Sequence, residues 1–185
     1  MIQQQRLSQY REQYRQQQQQ QYRLDQQRRQ ILERERRIAQ LRYQQRYLDR
    51  VRQDQYGLQN WQYTYAPPQY RYNRGGRYYE ANQYGADMLR QAVRYGYEEG
   101  VRAGQSDRED RWRNNYQESF GYQDATYGYN GYNVELPEYR HYFREGFRRG
   151  YEDGYNSRSR YGSYSNGGFS LLGSVLQAIL NLNSY

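Results

Sequence analysis

The chain has 185 residues, of which 28 are Lys or Arg and 20 are acidic, and its net charge is +8. Cys and Lys are absent, and His141 is the only histidine. Without Lys there is no Walker A phosphate loop and no Schiff base, and without Cys there is no thiolate nucleophile or Cys-bearing zinc site. We therefore expect no conventional enzyme, and no bound cofactor or metal.

Aliphatic residues are scarce in this chain. Leu, Ile, Val and Phe together supply 26 residues, whereas Tyr alone supplies 27 and Gln supplies 28. Chains with this composition are often disordered when their net charge is high. Because the charge is modest for the length, we expect tyrosine rings to serve as packing residues in an all-α protein with partly disordered loops.

Residues 1–57 are predicted to form a basic, Gln- and Arg-rich helical arm. The segment has no Gly or Pro before Gly57, so one continuous helix of roughly 80 Å is the simplest interpretation. Leu24, Ile31 and Ile38 recur every seven residues, which is typical of the narrow seam of a coiled coil or of a helix laid along a partner. An adjacent apolar line consists of Leu41, Leu48 and Val51.

Three further segments differ from the arm in composition. Residues 58–77 alternate aromatic and polar side chains around a Pro-Pro pair, which predicts an extended linker or a short hairpin. Residues 159–168 are predicted to be a Gly/Ser linker, and residues 169–185 to hold an apolar helix too short to cross a bilayer. This helix could touch a membrane surface or drive self-association through Leu172, Val175, Leu176 and Ile179.

Residues 78–158 contain a glycine pattern that occurs twice, fifty residues apart. In each copy three glycines follow one another at intervals of four: Gly96, Gly100, Gly104, Gly146, Gly150 and Gly154. A Gly inside a helix costs about 0.5–1 kcal/mol relative to Ala, so close packing must offset the loss. Since residues four apart line one helix face, each glycine row is expected to form a groove.

We predict that the two glycine-bearing helices pair closely, as small residues at intervals of four allow elsewhere. The second helix is expected to begin near Pro137. The apolar knobs over the grooves would be Val93, Tyr97, Val101, Phe143, Phe147 and Tyr151. The competing interpretation is a disordered Gly-Tyr-Arg segment.

Acidic clusters occur near Glu98, Asp107 and Asp153, and each has Arg residues close by in the sequence. Paired carboxylates can perform acid-base or metal chemistry. Here solvated ion pairs are the better interpretation, and each contributes little to stability. His141 is expected to be a surface or half-buried residue.

The glycine motifs carry a resemblance to known proteins. The stretches from Tyr95 to Gly104 and from Phe143 to Tyr155 resemble a group of small uncharacterised bacterial proteins with paired GYxxGxxxG and FxxGYxxGY helical repeats. The likeness covers roughly residues 86–156 and implies no activity. Such proteins often look exported; the chain as given starts with no signal peptide, so no compartment is predicted.

The leading hypothesis is a non-enzymatic structural or protein-interaction protein that self-associates, or scaffolds another protein, through helix packing. The alternative is a nucleic-acid-binding protein, because Arg and Tyr interleave along the arm. Its expected contacts are Arg11, Arg15, Arg23, Arg28, Arg29, Arg36 and Arg37. A third possibility is a condensing chain built from Gln, Tyr and Arg.

Overall fold

A computed structural model describes residues 2–58 and 65–184. The chain starts with helices α1 (Ile2–Arg34) and α2 (Ile38–Leu58). It continues with strands β1 (Tyr70–Arg74) and β2 (Arg77–Ala81), helix α3 (Gln83–Glu109), a 3-10 turn (Tyr116–Glu118), helix α4 (Phe120–Asp124) and helix α5 (Leu136–Asn156). Strands β3 (Gly162–Ser165) and β4 (Gly168–Leu171), helix α6 (Gly173–Leu180) and strand β5 (Asn183–Ser184) complete it.

The helix-rich fold is confirmed, but the all-α class is wrong because two small antiparallel sheets are present. One sheet has the strand order β2-β1-β5, and the other consists of β3 and β4. The first hairpin agrees with the short hairpin that was the alternative to a linker for residues 58–77, and it extends to Ala81; residues 59–64 lie outside the described part of the chain. The second hairpin occupies the end of the predicted Gly/Ser linker and the start of the predicted apolar helix.

Each hairpin turns through two residues with positive φ, as type I′ turns require. These residues are Gly75 and Gly76 in the first hairpin and Asn166 and Gly167 in the second. In the first hairpin Tyr72 lies opposite Tyr79, and their rings stack with centroids 5.4 Å apart. Alternating tyrosines therefore supply the cross-strand packing that holds these short strands together.

The helices α3 and α5 form the centre of the fold and run parallel to each other. Asn82 caps α3 by accepting a hydrogen bond from the backbone amide of Gly85 at 2.8 Å. Pro137 stands in the first turn of α5, as the sequence predicts. Because parallel helices need a return connection, residues 110–135 run back along the pair and include α4.

Tyrosine rings make up much of the core. The buried tyrosines packed with the aliphatic residues are Tyr43, Tyr47, Tyr72, Tyr129, Tyr139, Tyr142 and Tyr151. Their hydroxyls need partners, since a buried unbonded polar group is costly. For example, the Tyr139 hydroxyl donates to the backbone oxygen of Tyr127 at 2.6 Å, and that of Tyr129 to the oxygen of Val134 at 2.9 Å.

The predicted single arm helix is wrong, because α1 and α2 are separated by an elbow. Arg36 takes a left-handed conformation with φ of 55°, and the amide of Arg37 donates to the oxygen of Leu32 at 2.8 Å. These are the features of a Schellman helix end, here formed without glycine. Asp25 of α1 accepts a hydrogen bond from Gln44 of α2, so α1 folds back antiparallel to α2.

The C-terminal segment is also shorter in helix than predicted. Phe169 lies in β4, and α6 covers only Gly173–Leu180. Leu180 and Leu182 are buried, and the segment ends as β5, which pairs with β1. The tail therefore packs on its own chain.

Candidate interaction surfaces

The six predicted groove glycines all lie between α3 and α5. A Cβ built at Gly96, Gly100 or Gly104 would lie closer than 3.0 Å to the backbone of α5, which real Cβ atoms essentially never do. The same holds in reverse for Gly146, Gly150 and Gly154 against α3. Helix backbones therefore touch along the whole row, and no residue other than glycine fits.

The two glycine rows make equivalent contacts: a glycine in one row and the glycine fifty residues later face residues that are themselves fifty residues apart. Gly96 faces Phe143, and its counterpart Gly146 faces Val93. The knobs beside these rows are all buried, with exposed fractions between 0% and 3%. Both grooves are thus filled within one chain, and neither is open to a second molecule.

Two knob tyrosines extend their hydroxyls to buried carboxylates. Tyr97 donates to Asp153 at 2.9 Å, and Tyr151 donates to Asp107. Asp153 also accepts from the backbone amides of Arg160 and Tyr161, at 2.9 Å each. Asp153 therefore fixes the path of the chain from α5 into β3.

The prediction that the acidic clusters form solvated ion pairs is wrong for some of their members. Glu98 pairs with the half-buried Arg102, and Glu109 pairs with the exposed Arg42. In contrast, Glu99, Asp107 and Asp153 are buried. The cause is tertiary: the arm covers Glu99 and Asp107, and the chain entering β3 covers Asp153.

Asp107 receives the elbow of the arm. Arg37 is buried, binds the Asp107 carboxylate, and stacks on the Trp112 ring, with the guanidinium carbon 4.2 Å from the ring centroid. Burial raises the pKa of Asp107 to about 6, with the Tyr151 hydrogen bond and Arg37 acting in the opposite direction. These contacts offset part of the cost of burying the charge pair, while Nε of Arg37 is buried without a hydrogen-bond partner among the described residues.

Asp110, three residues further, caps the second arm helix. Its carboxylate accepts hydrogen bonds from the backbone amides of Ala39 and Gln40, both at 2.9 Å. These amides belong to the first turn of α2, which has no partners of its own for them. The C-terminal end of α3 thus holds both sides of the elbow.

Two more buried carboxylates anchor α2. Glu99 accepts from Arg50 at 2.6 Å and from Arg102 at 2.9 Å. Asp124 accepts from the hydroxyl of Tyr47 at 2.6 Å. These contacts could not be predicted, since nothing in a single sequence marks which carboxylates a distant helix will cover.

The arm leaves one apolar row in solvent. Leu24, Ile31 and Ile38 are 54%, 52% and 60% exposed, whereas Leu48 and Val51 of the adjacent line are buried and Leu41 is half-buried. The inward face of α1 carries instead Asp25 and Leu32. Leu24 and Ile31 of the predicted seam therefore face outward on α1, whereas Ile38 lies beyond the elbow on α2 and does not continue their row. The adjacent line docks the arm.

Along α1 the exposed row continues through glutamines. The residues of this row follow one another at alternating intervals of four and three, and we call them the outer seam: Gln13, Gln17, Gln20, Leu24, Gln27 and Ile31. Gln17 is half-buried and the others are exposed. The alternation is the heptad pattern of helix pairs, but glutamines give this pattern no apolar signal that could be recognised in the sequence.

The Arg residues expected to contact nucleic acid divide into two groups. Arg11, Arg15, Arg23 and Arg36 are exposed. The predicted nucleic-acid contact is wrong for Arg37, because its guanidinium is buried against Asp107. Arg28 is directed toward Gln123, at 2.8 Å, and Arg29 pairs with Asp25 at 3.0 Å, so both are partly engaged.

The predicted self-association residues of the tail are also partly used. Leu176 and Ile179 pack against the core, and Val175 is half-buried. Leu172 remains 44% exposed. His141 is half-buried, and burial lowers its pKa, with the charge of Arg74 adding to the effect.

Within residues 2–58 and 65–184, no helix has both the length and the apolar character needed to cross a bilayer. In that same part of the chain, no three His, Asp or Glu residues form a group that could hold a metal ion. Comparisons with models of known protein families, with curated proteins and with solved structures found no match. The resemblance of the glycine motifs to bacterial proteins thus stays a prediction.

Proposed function

We propose that this protein is a non-enzymatic interaction protein that binds a partner helix along the outer seam of α1. The observation that carries the proposal is the exposure of Leu24 and Ile31, each more than half accessible, at heptad spacing on a helix whose inward face is buried at Asp25 and Leu32. Large apolar side chains in a regular row on a helix are what a second helix packs against.

The body of the protein supports this role as a rigid platform. The α3–α5 pair is fixed by backbone contact at six glycines, and Arg37, Arg50 and Tyr47 hold the elbow and α2 to α3 and α4. α1 is held to α2 by the hydrogen bond that Asp25 accepts from Gln44. A preformed helix loses little conformational freedom on binding, so more of the contact energy appears as affinity. The outer seam is presented in this preformed state.

The other surfaces predicted for assembly are less suited. The glycine grooves are filled inside one chain, and the apolar residues of α6 largely face its own core. Scaffolding by the arm is therefore the form of helix packing that the arrangement favours, and self-association through the glycine rows is not proposed.

The test is the affinity of the full chain for a labelled, uncharged helical peptide of about three heptads, with Leu at intervals of three and four and Gln elsewhere. Fluorescence anisotropy should show binding to the native chain. The double variant Leu24→Gln, Ile31→Gln should bind at least about tenfold more weakly, because two apolar side chains lose their burial.

Leu172→Gln is the matched control, since Leu172 is an exposed leucine away from the arm. It should leave the affinity unchanged. All three residues are exposed, so circular dichroism should report intact folding in every variant. Equal affinity of the native chain and the double variant would contradict the proposal.

A second candidate function is nucleic-acid binding through another side of α1. Arg11, Arg15 and Tyr22 are exposed, and their spacing of four and seven places them along one line of the helix. Arg can neutralise phosphates while Tyr stacks on bases. The test is titration with labelled single-stranded RNA at several salt concentrations; an affinity that is absent or independent of salt excludes it.

A further inference from the structure

Folding separates the charges of the arm. Residues 1–58 contain 13 Arg and 6 acidic residues. Of these acids Asp25 is buried, and Asp54 is half-buried and accepts from the amide of Gly128 at 2.9 Å. The carboxylates of the body that contact the arm, such as Glu99 and Asp107, are buried in the interface and paired with Arg50 and Arg37.

The outer surface of the arm is consequently basic. Its exposed acids are Glu12, Glu33, Glu35 and Asp49. Among the side chains of the arm that the structure describes, the exposed arginines are twice as numerous: Arg11, Arg15, Arg23, Arg34, Arg36, Arg42, Arg46 and Arg52. Two of these arginines form ion pairs: Arg52 pairs with Asp49, and Arg42 pairs with Glu109. Both pairs involve α2, so the excess of positive charge on α1 remains.

Two of these arginines border the outer seam. Arg23 directly precedes Leu24, and Arg34 follows Ile31 by three residues and is the last residue of α1. Because about 3.6 residues make a turn, Arg23 and Arg34 lie on the same side of the seam, three turns apart. Glu33 lies on a different side of the helix. Glu12 lies on the same line as Arg23 but three turns before it, beyond the stretch from Leu24 to Ile31, so the border beside these two residues stays basic.

We infer that the partner of the outer seam is an acidic amphipathic helix, with apolar residues at heptad spacing and carboxylates along one border. This inference rests on the proposed function and names the chemistry of its partner. Leu24 and Ile31 would pack into the apolar row, while Arg23 and Arg34 would pair with the carboxylates. Charges that border a helix pair select the partner by attraction and by repulsion of the wrong sign.

Other occupants fit the seam less well. A second copy of the chain would bring basic borders together, and like charges across an interface are unfavourable. A nucleic acid would satisfy the arginines but would give two exposed aliphatic side chains nothing to pack against. Only an acidic helix uses both features of this surface.

The experiment compares three labelled peptides with the same heptad leucines, bordered by Glu, by Gln or by Lys, for binding to the full chain. At low salt the Glu peptide should bind about tenfold more tightly than the Gln peptide, and the Lys peptide more weakly than both. The advantage of the Glu peptide should shrink as salt is added, since exposed charges are screened.

Variants locate the effect on the chain. Arg23→Gln with Arg34→Gln should remove the advantage of the Glu peptide and leave the affinity for the Gln peptide unchanged. The matched control is Arg94→Gln with Arg158→Gln, two exposed arginines outside the arm, and it should preserve the advantage. Equal affinity for the Glu and Gln peptides overturns the acidic partner while the proposed function stands.

Three other results have defined meanings. If no peptide binds, the proposed function fails, and the acidic partner fails with it. If sedimentation of the chain alone shows a dimer that Leu24→Gln with Ile31→Gln dissolves, the occupant is a second copy and the inference is overturned. If single-stranded RNA displaces the Glu peptide and depends on the same arginines more strongly than the peptide does, a nucleic acid is the occupant, which also overturns it.

Discussion

The contact between α3 and α5 and the contact between the arm α1–α2 and the rest of the protein are both helix interfaces, yet they are formed in different ways. In α3–α5 the two backbones touch because six positions carry no side chain. The arm joins the body through carboxylates that receive Arg37, Arg50 and the hydroxyl of Tyr47. The α3–α5 interface depends on the absence of side chains at six positions, whereas the arm interface combines the buried Leu48 and Val51 with charged groups that must be matched.

This difference bears on how each region tolerates change. Backbone contact has no room to adjust, so a single methyl group disturbs it. A polar interface fails instead when one partner is removed and the other is left buried without compensation. The exposed outer face of α1 belongs to neither interface, which is why it is free for a partner.

The largest expected effect is on the helix pair. Gly100→Ala or Gly150→Ala should lower the free energy of unfolding by more than about 3 kcal/mol, or prevent pairing. Alanine gains about 1 kcal/mol in helix propensity, but its methyl would meet the backbone of the other helix closer than 3.0 Å. Urea unfolding followed by circular dichroism measures the change.

The control for this prediction is Gly173→Ala in α6. A Cβ at Gly173 would meet nothing within 4 Å, so no loss is expected. If Gly100→Ala unfolded at the same urea concentration as the native chain, the helix backbones could not be in the contact described.

The next effect concerns the anchoring of α2. Arg50→Met should cost about 2–3 kcal/mol in the free energy of unfolding, because the fully buried Glu99 would keep only Arg102 as a charged partner. Arg52→Met is the matched control: its pair with Asp49 is exposed on both sides and should contribute less than about 1 kcal/mol. Equal unfolding midpoints for the two variants would refute this role of Glu99.

A smaller effect is expected in the pH dependence. Burial raises the pKa of Asp107 to about 6, so the folded state retains this proton to a higher pH than the unfolded state. The stabilisation is present below about pH 4 and is lost as the pH rises through about 6. The variant Asp107→Asn has no carboxyl group at this position, so its stability does not contain this pH-dependent contribution.

The difference in unfolding free energy between the native chain and Asp107→Asn should therefore fall by about 1–3 kcal/mol from pH 4 to pH 7. Urea titrations at several pH values measure it. A constant difference would mean that Asp107 titrates alike in both states.

The smallest effect concerns the elbow. Asp110→Ala should cost about 1 kcal/mol, since the amides of Ala39 and Gln40 lose their acceptor. Hydrogen exchange should show faster exchange at these two amides than in Glu109→Ala, the control, whose carboxylate pairs only with exposed Arg42. Unchanged protection in Asp110→Ala would contradict the cap.

Much of the helical part could be predicted because its signals are local. The glycine spacing, the position of Pro137 and the absence of helix breakers before Gly57 can all be recognised in the sequence. The second hairpin had a local signal too, since Asn166-Gly167 is a typical type I′ turn, but the surrounding Ser and Gly residues led to the prediction of a linker.

The elbow and the buried carboxylates could not be predicted in this way. Residues 33–37 contain no Gly or Pro, so local preference favours an unbroken helix. The helix breaks there because Asp107 and Asp110, some seventy positions later, bind the guanidinium of Arg37 and the first amides of α2. The direction in which Leu24 and Ile31 point follows from the same fold-back.

The sequence by itself determined where side chains are missing, since a row of glycines at intervals of four is fixed by helix geometry whatever surrounds it. Only the tertiary structure decided which charges are inside and which row of the arm is outside. The physical reason is that burial and pairing of charges depend on groups far apart in the chain, which come together only when the helices have packed.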